Sequence, residues 1–132
     1  MSAHEFAVVV LAAGKGTRLK SALAKVLHRA GGRPLVEHVV LAANALKNRR
    51  VLVVVGHQAD AVGAVVEPLG AKAVVQSPQN GTGHAMLVAR RAIPTRVKYA
   101  IVVPGDAPLI RTETLQALMR AHIKGEAAAM IL

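Results

Sequence analysis

The feature that most limits what this chain can fold into is an alternation. Four short runs, apolar at successive positions rather than at every second one save for the closing Gln76, occur at residues 6–11, 51–55, 73–76 and 99–103, with stretches of helical periodicity between them. A strand that is apolar on both sides of its pleat must be covered on both faces. Strands alternating with helices meet that need by pairing in parallel, with right-handed crossovers that lay helices over the sheet. The expected fold is therefore α/β, a Rossmann-like doubly wound, mostly parallel sheet with helices on both faces.

The helices have legible limits. Gly31-Gly32 marks a turn, Pro34 suits a first helical position, and Val36, Val39, Val40 and Ala43 recur at helical spacing up to about Leu46. A second helix is expected over 59–69 with Gly70 as its terminator. Thr82 is expected to cap a third helix reaching Ile93, and Thr112 a last one reaching His122. A chain of 132 residues is one domain's worth of material, and 53% hydrophobic residues can fill its core. The stretch 125–132 closes on Ala-Ala-Ala-Met-Ile-Leu and reads as the opening of a fifth strand. The chain is thus expected to be cut short inside an element, with an apolar edge open to self-association.

Composition removes several functional classes. Cysteine is absent, which excludes disulfides and thiolate metal sites and fits a reducing, cytoplasmic compartment. No run of about 18 apolar residues exists and the first residues lack a signal-peptide layout, so no membrane partner is expected. Phe6 and Tyr99 are the only aromatics, too few to stack a single-stranded nucleic acid. Seventeen basic residues against seven acidic ones give a net charge of +10, which favours an anionic partner. Lys47, Arg49 and Arg50, then Arg90 and Arg91, then Arg120 and Lys124 fall at expected helix ends, where they complement the dipole. Lys15, Arg18, Lys20, Lys25, Arg29 and Arg33 do not; they share a stretch without an acid. Dispersed cations and few rings make nucleic acid a weaker expectation than a polyphosphate.

In an open α/β sheet, ligands bind outside the carboxyl ends of the strands. The unusual segments fall there. Leu11-Ala12-Ala13-Gly14-Lys15-Gly16-Thr17-Arg18 follows the first strand, Gln76 and Gly81-Thr82 the third, and Gly105-Asp106 the fourth. Small residues let backbone N–H groups approach phosphate oxygens, which Lys15, Arg18 and Lys25 would neutralise; otherwise the loop is a tight turn. It is neither a dinucleotide fingerprint, since Leu19 stands at the third glycine, nor a P-loop. Asp106 either caps local N–H groups or holds a magnesium ion whose other ligands are phosphates and water. Gln76 offers a donor and an acceptor to a nucleobase edge. Gln79 is expected to be a solvated loop residue and His84 a satisfied helix histidine. The six histidines lack metal-ligand spacing, and no serine sits in a nucleophile elbow.

Leu11 to Arg18 followed by Lys25-Val26-Leu27 resembles the signature of sugar-phosphate nucleotidyltransferases. With Gln76, Gly81-Thr82-Gly83-His84-Ala85 and Gly105-Asp106-Ala107-Pro108-Leu109, the chain is similar to the N-terminal part of the bacterial N-acetylglucosamine-1-phosphate uridyltransferases. The resemblance implies a nucleotide-diphospho-sugar transferase fold, with Mg2+ as cofactor. It implies uridylyl transfer from UTP to N-acetylglucosamine 1-phosphate, giving UDP-N-acetylglucosamine and pyrophosphate without a protein nucleophile. It makes Leu11, Ala12, Ala13 and Gly14 backbone contacts of the nucleotide, and Arg18 and Lys25 the catalytic cations. Gln76, Gly81, Thr82 and Gly105 become nucleotide-binding positions, and Asp106 the metal ligand. The family's sugar-binding part and acetyltransferase domain would lie beyond residue 132, so residues 1–132 are expected to hold the nucleotide and to turn over weakly or not at all. Two positions depart from the family. Ala24 replaces a proline, which is expected to loosen Lys25; Pro104 replaces an apolar or aromatic residue, which is expected to alter how its strand ends. Competing expectations are a molybdopterin guanylyltransferase, a charge-driven nucleic-acid-binding domain and a non-catalytic nucleotide sensor.

Overall fold

The computed structural model describes residues 5–14, 22–47 and 49–125. In chain order they form β1 (Phe6–Ala12), a 3-10 turn (Lys25–Leu27), β2 (Arg29–Ala30), β3 (Arg33–Pro34), α1 (Leu35–Asn44) and β4 (Arg49–Val55). Then follow α2 (Ala59–Val66), a 3-10 turn (Glu67–Leu69), β5 (Lys72–Val75), α3 (Thr82–Arg91), β6 (Tyr99–Pro104) and α4 (Thr112–Gly125). The fifth strand expected near the end lies outside the described residues.

The four longer strands pair in parallel in the order β5-β4-β1-β6. The chain thus steps outward from β1 through β4 to β5, then returns to the other side of β1. β1 is central and reads apolar throughout because both of its faces are covered. Val8, Val10 and Ala12 pack with Val36, Val39 and Val40 of α1, Val62 and Val66 of α2 and Leu115 of α4. On the opposite face Val9 and Val54 meet Ala85 and Ala89 of α3, whose small side chains let that helix lie close to the sheet. The fold is the expected one, a doubly wound parallel sheet between helical layers.

Local readings shift where a tertiary partner intervenes. Arg49 and Arg50 do not close a helix. They open β4, pairing with Phe6 and Ala7 of β1, and Arg50 and Arg96 (Nε–Oε2 3.1 Å) both reach Glu5. Pro34 precedes α1 as its N-cap rather than starting it. The Gly31-Gly32 turn closes a small hairpin of β2 and β3, with φ +60° and +81°, the left-handed pair that a two-residue hairpin turn requires. Gly70, at φ 90°, terminates the second helical stretch as expected. Neither threonine caps its helix. Thr82 is the first residue of α3 behind Gly81, with no side-chain cap bond, and the Thr112 hydroxyl donates to Ala42 O at 2.8 Å, tying α4 to α1.

Pro104 leaves its strand intact. β6 runs through it opposite Leu11, and the ladder continues with Gly105 N–H donating to Leu11 O at 2.9 Å. Successive N–H groups of a strand point to opposite sides, so the missing donor of Pro104 faces the side of β6 away from β1.

Candidate functional site

The winding reverses between β1 and β6, and in a sheet of this kind the carboxyl ends of two such strands border the crevice where ligands bind. The floor of that crevice is Gly105. A Cβ there would lie 2.9 Å from Leu11 O, 3.1 Å from Val26 Cγ1 and 3.2 Å from Ala12 Cβ, so only glycine fits between β1 and the 3-10 turn. Val26 and Leu27 are buried and anchor that turn against the core. Lys25, its first residue, points outward, and its Nζ lies 2.7 Å from Asp106 Oδ2. Residues 81 positions apart are thereby brought into one ion pair. Both side chains remain solvent-accessible, 46% for Lys25 and 30% for Asp106, so the pair can exchange partners with an incoming ligand. An exposed pair of this kind adds little to stability.

Beside it opens a cleft of about 280 Å³ lined by Leu11, Ala13, Gly14, Val54, Gln76, Gln79, Gly81, Thr82 and Ala85. Gln76 is its one buried polar side chain, 3% exposed. Its backbone N–H donates to Val55 O at 2.8 Å, which extends the β4 ladder and fixes the side chain at the strand end. Nε2 donates to Gly81 O (3.1 Å) and lies 2.9 Å from His84 Nδ1. A carbonyl can only accept, so Gly81 O sets the orientation of the amide and makes His84 Nδ1 an acceptor. Oε1 of Gln76 is the atom left for a ligand. Gly81 adopts φ 93°, a conformation that L side chains rarely take, and it turns the chain into α3.

Gln79 is an exposed loop residue, as its setting suggests, but its amide is engaged. Its carboxamide nitrogen donates to Ala13 O (3.1 Å) and its oxygen accepts from His57 N–H (2.9 Å), while the side chain lies over Gly56. It therefore straps the loop after β1 to the loop after β4. His57 N–H also donates to Ala13 O at 3.1 Å. No sequence signal marked that role, because both partners are backbone atoms of distant loops. His84, read as a satisfied helix histidine, does have a partner, but one that orients a residue of the cleft.

Of the site residues expected from the sequence, Leu11, Ala13, Gly14, Gln76, Gly81 and Thr82 line one cleft. Lys25, Gly105 and Asp106 form the adjoining crevice. Ala12 lies at the junction, with its side chain in the core on the opposite face of the sheet. Arg18, with Lys15, Gly16 and Thr17, lies outside the described residues. Among the described residues no cluster of three or more histidines and carboxylates could hold a metal by itself. A single carboxylate at a site for a polyphosphate suits magnesium, which takes one or two carboxylates and fills its octahedron with phosphate oxygens and water.

A parallel sheet with a small-residue loop, a lysine–aspartate pair at the switch point and a cleft beside it has the room and the charge to take a nucleotide. The chain belongs to the family of MobA-like NTP transferase domains, whose model matches residues 8–132. Within that class the individual relatives are more specific. The chain is 47% identical over 126 residues to the "Bifunctional protein GlmU" of Solibacter usitatus and 49% identical over 131 residues to that of Rubrobacter xylanophilus. These matches cover 95% and 99% of this chain but only 27% and 28% of those proteins, so it spans little more than a quarter of their length. The resemblance seen in the motifs thus extends over nearly the whole chain. Solved structures share the fold: a nucleotidyl transferase from Methanothermobacter thermautotrophicus matches with a TM-score of 0.76 at 23% identity, covering 88% of this chain and 57% of that one. A CMP:2-keto-3-deoxy-manno-octonic acid synthetase complexed with CTP matches with 0.75 at 22%, covering 93% and 49%.

Proposed function

We propose that this chain holds the nucleotide in a uridylyl transfer from UTP to N-acetylglucosamine 1-phosphate. In that reaction a phosphate oxygen of the sugar phosphate attacks the α-phosphorus of UTP and forms a new P–O bond. The α–β bridging P–O bond breaks, and pyrophosphate leaves with the electron pair. The observation that carries the reading is the Lys25–Asp106 pair, 2.7 Å apart at the switch point beside the cleft. One cation and one carboxylate side by side are what a polyphosphate bound with magnesium needs: the ammonium turns to phosphate oxygens, and the carboxylate is released toward the metal. Asp106 would hold the magnesium ion, which supplies positive charge against the polyphosphate. Glycine-bearing backbone at Gly14 would lie along the nucleotide, with Arg18 adding a second cation.

Uracil as the base is supported by the committed orientation of Gln76. With Nε2 engaged by Gly81 O and His84 Nδ1, Oε1 is an acceptor. Uracil presents an N3–H donor to it, whereas cytosine presents a lone pair. The identity to proteins named GlmU supports the same reading. Among the described residues no helix is long and apolar enough to cross a membrane. A cytoplasmic location accompanies the proposal, because its substrates are soluble nucleotides and sugar phosphates.

The test is calorimetric titration with UTP, CTP, ATP and GTP, each with and without magnesium, on wild type and Asp106→Ala. UTP is expected to bind preferentially and to tighten with magnesium in the wild type alone. Without magnesium, Asp106→Ala is expected to bind UTP at least as well as wild type, because Lys25 has lost its competing carboxylate. Equal binding of all four nucleotides, falling steeply with salt, would overturn the proposal in favour of charge-driven association.

A further inference from the structure

One side chain near the site is accounted for neither by the cleft nor by the motifs. Gln58, just after β4, is the one described residue other than glycine with a positive φ, at φ 55° and ψ 43°. Left-handed backbone is unfavourable for a glutamine. It makes no cap bond to α2, the helix it precedes. Instead its carboxamide reaches a loop more than thirty positions back in the chain. Oε1 accepts from Ala24 N–H at 2.5 Å, and Nε2 donates to Ala22 O at 2.7 Å. Both functions of the amide are thus spent on the backbone immediately before Lys25.

Ala24 is the hinge of that segment. It is fully buried, its C=O accepts from Leu27 N–H at 3.0 Å, and it starts the 3-10 turn that carries Lys25. Its dihedrals are φ −54° and ψ 142°, within the range that a proline ring would impose. An alanine is free to leave that conformation; here its N–H, which a proline would lack, is what Gln58 grips. The expected loosening of Lys25 by Ala24 is therefore answered by a second residue.

We infer that Gln58 is a positioning residue acting through Lys25. Two hydrogen bonds from its carboxamide hold residues 22–24 in the conformation that sets where the Lys25 ammonium meets Asp106 and the phosphates. This rests on the proposed function only in taking phosphates as the ligand of Lys25; the clamp on the backbone does not depend on it.

The test uses Gln58→Gly, which keeps the left-handed backbone and removes the carboxamide, with Gln58→Asn, Ala24→Pro and the double variant Ala24→Pro/Gln58→Gly. Three quantities are read on each: the melting temperature, amide hydrogen exchange of residues 22–28, and affinity for UTP with magnesium. Gln58→Gly is expected to weaken UTP binding about 3- to 10-fold, the worth of one or two hydrogen bonds, and to speed exchange selectively in 22–28. Gln58→Asn, one methylene too short, is expected to behave like it. Ala24→Pro fixes φ covalently, so the double variant is expected to return to within about twofold of Ala24→Pro alone. If Ala24→Pro perturbs the fold, Gln58→Asn against wild type decides the matter by the same two local readouts. Unchanged affinity and unchanged exchange in both Gln58 variants would overturn the inference. So would losses spread over the whole chain with a lowered melting temperature and no rescue by proline. If wild type binds no UTP, the proposed function fails, while the clamp still stands or falls on exchange in 22–28.

Discussion

Gly105→Ala puts one methyl group into the most crowded point of the site. The added Cβ would lie 2.9 Å from Leu11 O, where an ordinary carbon–oxygen contact is about 3.4 Å. The deficit of roughly 0.5 Å falls on a backbone atom, and Leu11 O is itself held by the Gly105 N–H at 2.9 Å. Relief requires lengthening that bond between β1 and β6, or pushing back Val26 at 3.1 Å and with it the turn that bears Lys25. Overpacking of this kind costs about 1–3 kcal/mol, which for a chain of this size lowers the melting temperature by about 3–10 °C. Circular dichroism melts of Gly105→Ala beside Gly83→Ala supply the comparison, because a Cβ at Gly83 has nothing within 4 Å. Gly83→Ala is expected to be neutral or stabilising by up to about 1 kcal/mol, since it lies inside α3. Calorimetry well below the melting range gives the second arm. Displacing Val26 moves Lys25 away from where the phosphates would lie, so affinity for UTP with magnesium is expected to fall about tenfold, the worth of one charge-assisted hydrogen bond. Gly105→Ala melting within about 1 °C of wild type with full UTP affinity would refute the account of how the crevice is built.

Three further outcomes follow from the same geometry. In Gly56→Ala the new Cβ would meet the Gln79 carboxamide at 2.6 Å, the movable end of a side chain. Stability should therefore change by less than about 1 kcal/mol while Gln79 leaves Ala13 and His57, and UTP affinity falls; urea melts and calorimetry separate the two. Gly81→Ala has open space for its Cβ but a φ of 93°, so about 1–2 kcal/mol of backbone strain is expected in denaturant unfolding. It should also weaken UTP binding, because Gly81 O orients Gln76. Thr112→Val removes the hydroxyl that donates to Ala42 O, and should cost about 0.5–1.5 kcal/mol in urea unfolding without altering nucleotide affinity.

The sequence alone determined the layers and the edge of the sheet where chemistry could gather. Apolar runs without alternation demand burial on both faces, which β1 and residues 51–55 of β4 obtain; β5 and β6 keep one side partly exposed, with Val75 and Val102 open, yet their β-branched runs made all four strands readable from composition and spacing. The glycine-bearing loop after β1, Gln76 and Gly105-Asp106 were readable for the same reason, because strand ends follow once strands are known. The β2–β3 hairpin was not, since two-residue strands such as Arg29–Ala30 are too short to carry a pattern. Only the tertiary structure decided which polar partner each flexible side chain takes. Thr82 and Thr112 resembled caps, yet Thr112 spends its hydroxyl on Ala42, 70 positions away. Arg49 and Arg50 resembled a helix end until β1 offered them a strand to pair with. Gln58, Gln79 and the meeting of Lys25 with Asp106 left no local trace. A hydrogen bond or ion pair depends on atoms within about 3 Å, and which atoms come that close is settled by the packing of elements far apart in the chain.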